Sequence, residues 1–177
     1  MGADDRIRLF CALQLPDAAR AELAGWAAAR LHAGRLVREA DLHVTLAFLG
    51  SCPAADVPVV VRELREASAA AAPAELRAVR YRETRSVGMI VLDDVGGAAA
   101  ALAADLHERL ERVGVYRNEH RSWLPHVTVQ RFRERAGDRP QLPNMCSIHV
   151  VRSALYRSHL GREGARYDVL ETAALGG

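Results

Sequence analysis

The sequence contains no lysine, and all 24 of its basic residues are arginine. That absence excludes Schiff-base chemistry, a Walker-type lysine grip on phosphate and a lysyl-adenylate ligase mechanism. Aromatic residues are scarce, at 5%. Cysteine occurs three times, as Cys11, Cys52 and Cys146, with no Cys-x-x-Cys spacing. This odd count predicts neither a disulfide scaffold nor a zinc ribbon and fits a reducing cytoplasm. No apolar run approaches the ~20 residues of a membrane helix, so no membrane span is expected. The acidic opening residues with no apolar segment behind them do not read as a secretory signal. Gly2 invites a myristoylation reading, but Arg6 stands where that motif needs Ser or Thr. Net charge is +2, too balanced for a protein that coats long nucleic acid.

What remains is 177 residues of ordinary globular composition, 50% hydrophobic and 26% charged, enough for one domain or two small lobes over a shared core. Ile7, Leu9, Cys11, Leu13 and Leu15 alternate as in a strand, and Pro16-Asp17 opens a helix to about Arg30. A strand is expected from Leu42 to Leu49. A helix from about Ala54 to Ala71 follows, with Pro58 marking its first turn and Pro73 closing it. Strands near Leu76–Tyr81 and Met89–Leu92 lead to the clearest helix, Ala98 to Val113, capped by Gly114. A strand from His126 to Phe132, a charged loop to Pro143, and strands Ser147–Tyr156 and Arg166–Thr172 complete the chain. Strand, helix and a strand carrying His-Val-Thr occur twice, with the two histidines 83 residues apart. The pattern predicts an α+β fold of two similar lobes, one bilobal domain over residues 1–177.

The two tetrapeptides are His43-Val44-Thr45-Leu46 and His126-Val127-Thr128-Val129. Seven histidines and four threonines in 177 residues make even one chance His-x-Thr improbable. On a strand, residues two apart share a face about 6.6 Å apart. His43 with Thr45, and His126 with Thr128, therefore point together while the valines face the core. Two imidazoles and two hydroxyls facing a common volume suit general acid–base catalysis on a phosphate ester. One ring takes a proton from water, the other delivers one to the leaving oxygen, and the hydroxyls donate to phosphoryl oxygens. We assign His126 as base and His43 as acid, although the repeat makes them nearly equivalent.

By alternation, Arg131 falls on the face opposite His126, Phe48 on the core face with Val44 and Leu46, and Gln130 outward. Asp41-x-His43 as a metal pair lacks the further ligands it needs, and Asn118-Glu119-His120 is scrambled relative to them. His107-Glu108 lacks the second histidine of a zinc helix. His32, His107, His120, His149 and His159 read as surface residues. Gly96-Gly97 reads as a helix-start turn. Arg77, Arg80, Arg82 and Arg85 read as a solvated strand, or as a cleft rim able to guide an RNA end.

His43-Val-Thr-Leu-Ala-Phe-Leu-Gly50 and Pro125-His-Val-Thr-Val-Gln-Arg131 resemble the paired signatures of the 2H phosphoesterase superfamily, most closely its RNA 2′,3′-cyclic phosphodiesterase (2′-5′ RNA ligase) branch. Arg8-Leu-Phe-Cys-Ala-Leu-Gln-Leu-Pro16 resembles that family's first strand, and Ser153-Ala-Leu155 with Gly164 and Tyr167 its closing hairpin. The resemblance implies two pseudo-symmetric lobes with mainly antiparallel sheets around a central cleft, helices outside and no essential metal or cofactor. It implies hydrolysis of a ribose 2′,3′-cyclic phosphate, on RNA ends or nucleotides, to the 2′-phosphomonoester, and a monomer is expected. Reverse joining of such an end to a 5′-hydroxyl follows by microscopic reversibility. On the same resemblance Arg131 binds phosphate, as its guanidinium fork is suited to do, and Phe48 packs near the nucleobase. Trp123 and Tyr156 are other rings able to do so. A smaller substrate such as ADP-ribose 1″,2″-cyclic phosphate, or a non-catalytic nucleotide-binding module, are the rival readings.

Overall fold

The computed structural model describes residues 5–117, 122–145, 147–162 and 164–176. Gly2, the Asn118-Glu119-His120 run and Cys146 lie outside the described residues. The elements are β1 (Arg6–Gln14), α1 (Asp17–Arg30), β2 (Arg35–Leu36), β3 (His43–Pro53), α2 (Val57–Ala70), β4 (Ala74–Glu83), β5 (Val87–Val95), α3 (Ala98–Arg112), β6 (His126–Arg131), β7 (Ile148–Val150), β8 (Arg152–Gly161) and β9 (Gly164–Ala174). Pro58 does sit in the first turn of α2, after a short 3₁₀ turn over Ala54–Asp56, where its missing N–H costs no helical bond.

All strand pairs are antiparallel, in the order β7-β4-β5-β6-β3-β1-β8-β9, with β2 beside β6. One half-sheet is β3-β1-β8-β9 and the other β6-β5-β4-β7. The halves do not follow chain order. β4 comes after the first His-x-Thr strand yet pairs in the second half-sheet, and β8 comes after the second yet pairs with β1. The expected single strand from Ser147 to Tyr156 is therefore two. β7 pairs with β4 and β8 with β1, so the chain crosses between half-sheets at exposed Val151.

The core lies on the helix-covered face. Leu9, Leu13, Leu23, Leu46, Leu64, Ile90, Leu106 and Leu110 are essentially fully buried there. Each such side chain contributes about 1.5–3 kcal/mol of burial. Cys11 belongs to this core, and burial pushes its thiol up to about 12, so it is an apolar filler rather than a nucleophile. The opposite face of β1 is also covered. Phe10, Ala12, Ala154 and Tyr156, with Tyr167 against them, form a small second cluster. No helix among the described residues is long and apolar enough to cross a membrane.

Candidate active site

The two His-x-Thr strands are neighbours, registered at Val44 opposite Val127. Both valines are fully buried, so the flanking His43, Thr45, His126 and Thr128, all half-buried, project from the other face. Beyond that rung β6 turns to β2, pairing Arg131 with Arg35 and Gln130 with Leu36. The strands separate there, and the segment from Arg35 to Asp41 lines the opening.

The histidines are held in the same way. His43 Nδ1–H donates to the Asp41 carbonyl at 2.7 Å and His126 Nδ1–H to the Leu124 carbonyl at 2.8 Å. In each case the partner lies two residues upstream, which fixes the tautomer and leaves Nε2 for chemistry. His43 Nε2 accepts from the Thr45 hydroxyl at 3.1 Å. The Phe10 ring packs on the His43 ring at 4.8 Å, and Tyr167 meets it edge-on at 5.4 Å. Burial lowers the His43 pKa to about 4, against the opposing pull of Asp41, with the neighbouring His126 and the Arg131 guanidinium lowering it further. The free protein thus holds His43 neutral at pH 7. The Asp41 carboxylate is not a ligand in waiting, because Arg38 Nε donates to it at 2.7 Å. Among the described residues no group of three or more His, Cys, Asp or Glu is placed to hold a metal ion.

His43, Thr45, Thr128 and Arg131 line one cavity with Arg35, Arg38 and Tyr167. An adjoining cavity of about 380 Å³ adds Arg8, Phe10, Phe48, Ser158 and Leu160, a size suited to a small organic ligand. His126 lines neither cavity. It stands beside them on the Thr128 face of β6, close enough to act electrostatically on His43.

Strand alternation misplaces three residues, and one cause accounts for all of them. The β1–β3 register skips at Leu46, with Ala12 opposite Thr45 and Cys11 opposite Ala47. The β5–β6 register skips at Val129, with Met89 opposite Thr128 and Gly88 opposite Gln130. Each skip is a β-bulge three residues after a motif histidine, and a bulge reverses the facing of the residues beyond it. Phe48 is therefore not a core residue. It is 52% exposed and lines the cleft. Arg131 turns to the His126 side, and Gln130 turns inward and is fully buried. Gln130 Nε2 donates to the Tyr81 hydroxyl at 2.8 Å, which donates to buried Glu83 at 3.1 Å. Glu83 accepts the backbone N–H groups of Gly137 and Asp138, so Gln130 anchors the charged loop and does not face the cleft.

The first bulge has supports that periodicity could not reveal. Trp123 Nε1–H donates to the Thr45 carbonyl at 2.9 Å, and His107 Nε2–H to the Leu46 carbonyl at 2.7 Å. His107, expected at the helix surface, is half-buried and stacked on Tyr116 at 4.9 Å. His32, His149 and His159 are exposed, as expected. Arg77, Arg80 and Arg82 are exposed too. Their partners Asp93, Val91 and Met89 alternate on the β5 face that continues to His126 and Thr128.

Comparison with known proteins identifies the family and the fold. The profile of the 2′-5′ RNA ligase superfamily matches residues 15–146. The RNA 2′,3′-cyclic phosphodiesterase of Escherichia coli (strain K12) is 29% identical, over 95% of this chain and 96% of that protein. The fold superposes on TT0787 of Thermus thermophilus with a TM-score of 0.82 at 27% identity, covering 97% of this chain and 99% of that one. E. coli LigT, solved with 3′-AMP, gives a TM-score of 0.81 at 26% identity, covering 98% and 100%. With two bulged His-x-Thr strands meeting at one valine rung, and a matching profile over most of its length, the chain belongs to the 2′-5′ RNA ligase superfamily of 2H phosphoesterases.

Proposed function

We propose that this protein hydrolyses a ribose 2′,3′-cyclic phosphate, on an RNA end or a nucleotide, to the 2′-phosphomonoester without a metal ion. The observation that carries the reading is the meeting of the two His-x-Thr pairs about Val44 and Val127. Each imidazole has its Nδ1 committed to a backbone carbonyl. Binding alone does not call for two titrating rings so oriented.

In this mechanism Thr45, Thr128 and Arg131 hold the non-bridging phosphoryl oxygens, the guanidinium as a bidentate fork, and the nucleobase lies against Phe48. His126 takes the proton from the attacking water, and His43 delivers one to the departing 3′ oxygen. His43 starts neutral, so the acid must gain its proton with the substrate. The arriving phosphate anion favours the imidazolium, as Asp41 already does. Run backwards, the same steps join a 2′,3′-cyclic end to a 5′-hydroxyl. All the residues invoked come from one chain, so a monomer suffices, and a cytoplasmic setting suits its RNA substrate.

The test is incubation with nucleoside 2′,3′-cyclic phosphates in EDTA and identification of the product isomer. The 2′-phosphomonoester is expected. The 3′ isomer, or no turnover, overturns the reading.

A further inference from the structure

Across β3, β1 and β8, the floor of the cleft is built in three successive rows. Thr45, Ala12 and Ala154 are in register in the first, Phe48, Phe10 and Tyr156 in the second, and Ser51, Arg8 and Ser158 in the third. The first row carries a residue of the His-x-Thr motif. The second is aromatic and carries Phe48, which is open to solvent. The third is polar and centred on one cation. Rows two residues apart on a strand are separated by about 6.6 Å, so Arg8 lies about 13 Å along β1 from the Thr45 row. An arginine side chain shortens that gap by reaching back along the floor.

Arg8 is unlike its neighbours. Arg6, on the same face of β1, donates to the Ser51 hydroxyl. Arg8 makes no hydrogen bond or ion pair among the described residues, and its Nε is buried without a partner. Its guanidinium instead lies over the Phe48 ring, 5.3 Å from the centroid. Arg8 and Ser158 both line the cavity that holds Phe48 and His43. A nucleoside with its cyclic phosphate at the first row and its base on the second directs its 5′ carbon toward the third. An unpaired, partly desolvated guanidinium there is suited to a phosphate.

We propose that Arg8, assisted by Ser158, binds the phosphate on the 5′ side of the terminal nucleoside. The protein therefore selects nucleotides that carry a 5′ phosphate group over bare nucleoside cyclic phosphates. This deepens the function proposed above and rests on its placement of the cyclic phosphate. A free 5′-phosphomonoester and the internal phosphodiester of an RNA end present the same chemistry to Arg8.

The test compares kcat/KM for adenosine 2′,3′-cyclic phosphate with and without a 5′-phosphate, and for a dinucleotide ending in the same cyclic phosphate. One charge-assisted contact predicts a preference of about 10–150-fold for the phosphorylated substrates. In Arg8→Met, which keeps an unbranched apolar stem over Phe48, that ratio falls to near one, and in Arg8→Lys it is intermediate. An advantage confined to the monophosphate assigns the site to mononucleotides, and one shared by the dinucleotide assigns it to RNA ends. A wild-type ratio near one, or a ratio untouched in Arg8→Met, overturns the proposal. The same ratio taken from the Kd of adenosine 2′-phosphate against adenosine 2′,5′-bisphosphate needs no turnover. It decides the role of Arg8 even if hydrolysis is not observed.

Discussion

Val44 and Val127 face each other across the two motif strands, and among the described residues they are the one registered pair that joins β3 to β6. Antiparallel pairing at that rung sets His43 beside Thr128 and Thr45 beside His126. The site thus has local twofold symmetry centred on two buried apolar side chains. Symmetry of position does not extend to electrostatics, because among the described residues the aromatic cover over His43 comes from the first half-sheet.

Replacing either histidine by alanine is expected to lower kcat by about 10²–10⁴-fold, the usual loss for a general acid or base, with the circular dichroism spectrum unchanged. A phosphodiester with a nitrophenyl leaving group needs little protonation of its departing oxygen. On that substrate His43→Ala should recover most of its rate and His126→Ala should not. The opposite result would exchange the two roles.

The His43 ring is expected to titrate near pH 4 in the free protein, by NMR, and at higher pH with inorganic phosphate bound, because the anion opposes the effect of burial. Folding also depends on this group. Its pKa falls from 6.5 to about 4 on folding, so the unfolded chain binds the proton more tightly. Stability contributed by the neutral ring is intact above about pH 6.5 and is lost as pH drops toward 4. His43→Asn should flatten the pH dependence of Tm in that window. An unchanged slope would mean that burial does not control this histidine.

Thr45→Val and Thr128→Val each remove a hydroxyl from the phosphate site while keeping the branched shape. Each is expected to lower kcat/KM by about 10–150-fold, the loss of one hydrogen bond to a charged group. A bell-shaped pH–rate profile is expected from the histidine pair, one ring acting as base and the other as acid, and should persist in both variants. Rates near wild type in both variants would remove the hydroxyls from phosphate binding.

Chelation is expected to leave the rate unaltered, measured as kcat after dialysis against EDTA. A loss restored by one divalent ion would replace the paired-histidine mechanism.

His107→Leu removes the donor that holds the Leu46 carbonyl at the first bulge. It is expected to raise KM by about 2–10-fold with little change in kcat, because Phe48 is displaced while His43 is not. Equal effects on a substrate analogue lacking the base would show that Phe48 is not what the bulge positions.

The His-x-Thr pairs, α1, α3 and the repeated strand–helix–strand order were legible because each is local, resting on spacing, caps and alternation. Arg131, Phe48 and Gln130 were misplaced by alternation because a bulge leaves no periodic trace. Leu46 and Val129 are aliphatic residues like those of any strand, and only the partner strand's register reveals the extra residue. The family resemblance put Arg131 and Phe48 beside the cleft where the pattern did not. Two-residue β2 is too short to carry a period. The support from Trp123 and His107 joins residues 78 and 61 positions apart, a separation no window of sequence spans.

The exchange of β4 and β8 between half-sheets has a consequence for how the chain can be divided. Cutting it in the Thr84–Val87 turn yields an amino-terminal piece that carries β4 but lacks the β8–β9 hairpin flanking β1. The carboxyl-terminal piece holds that hairpin but lacks β4, which separates β5 from β7. Neither piece can complete its own sheet, so each leaves an unpaired strand edge that only the other fits. Such fragments should stay unfolded apart and regain structure on mixing, which makes this turn a natural break point for a two-part reporter whose signal depends on reunion.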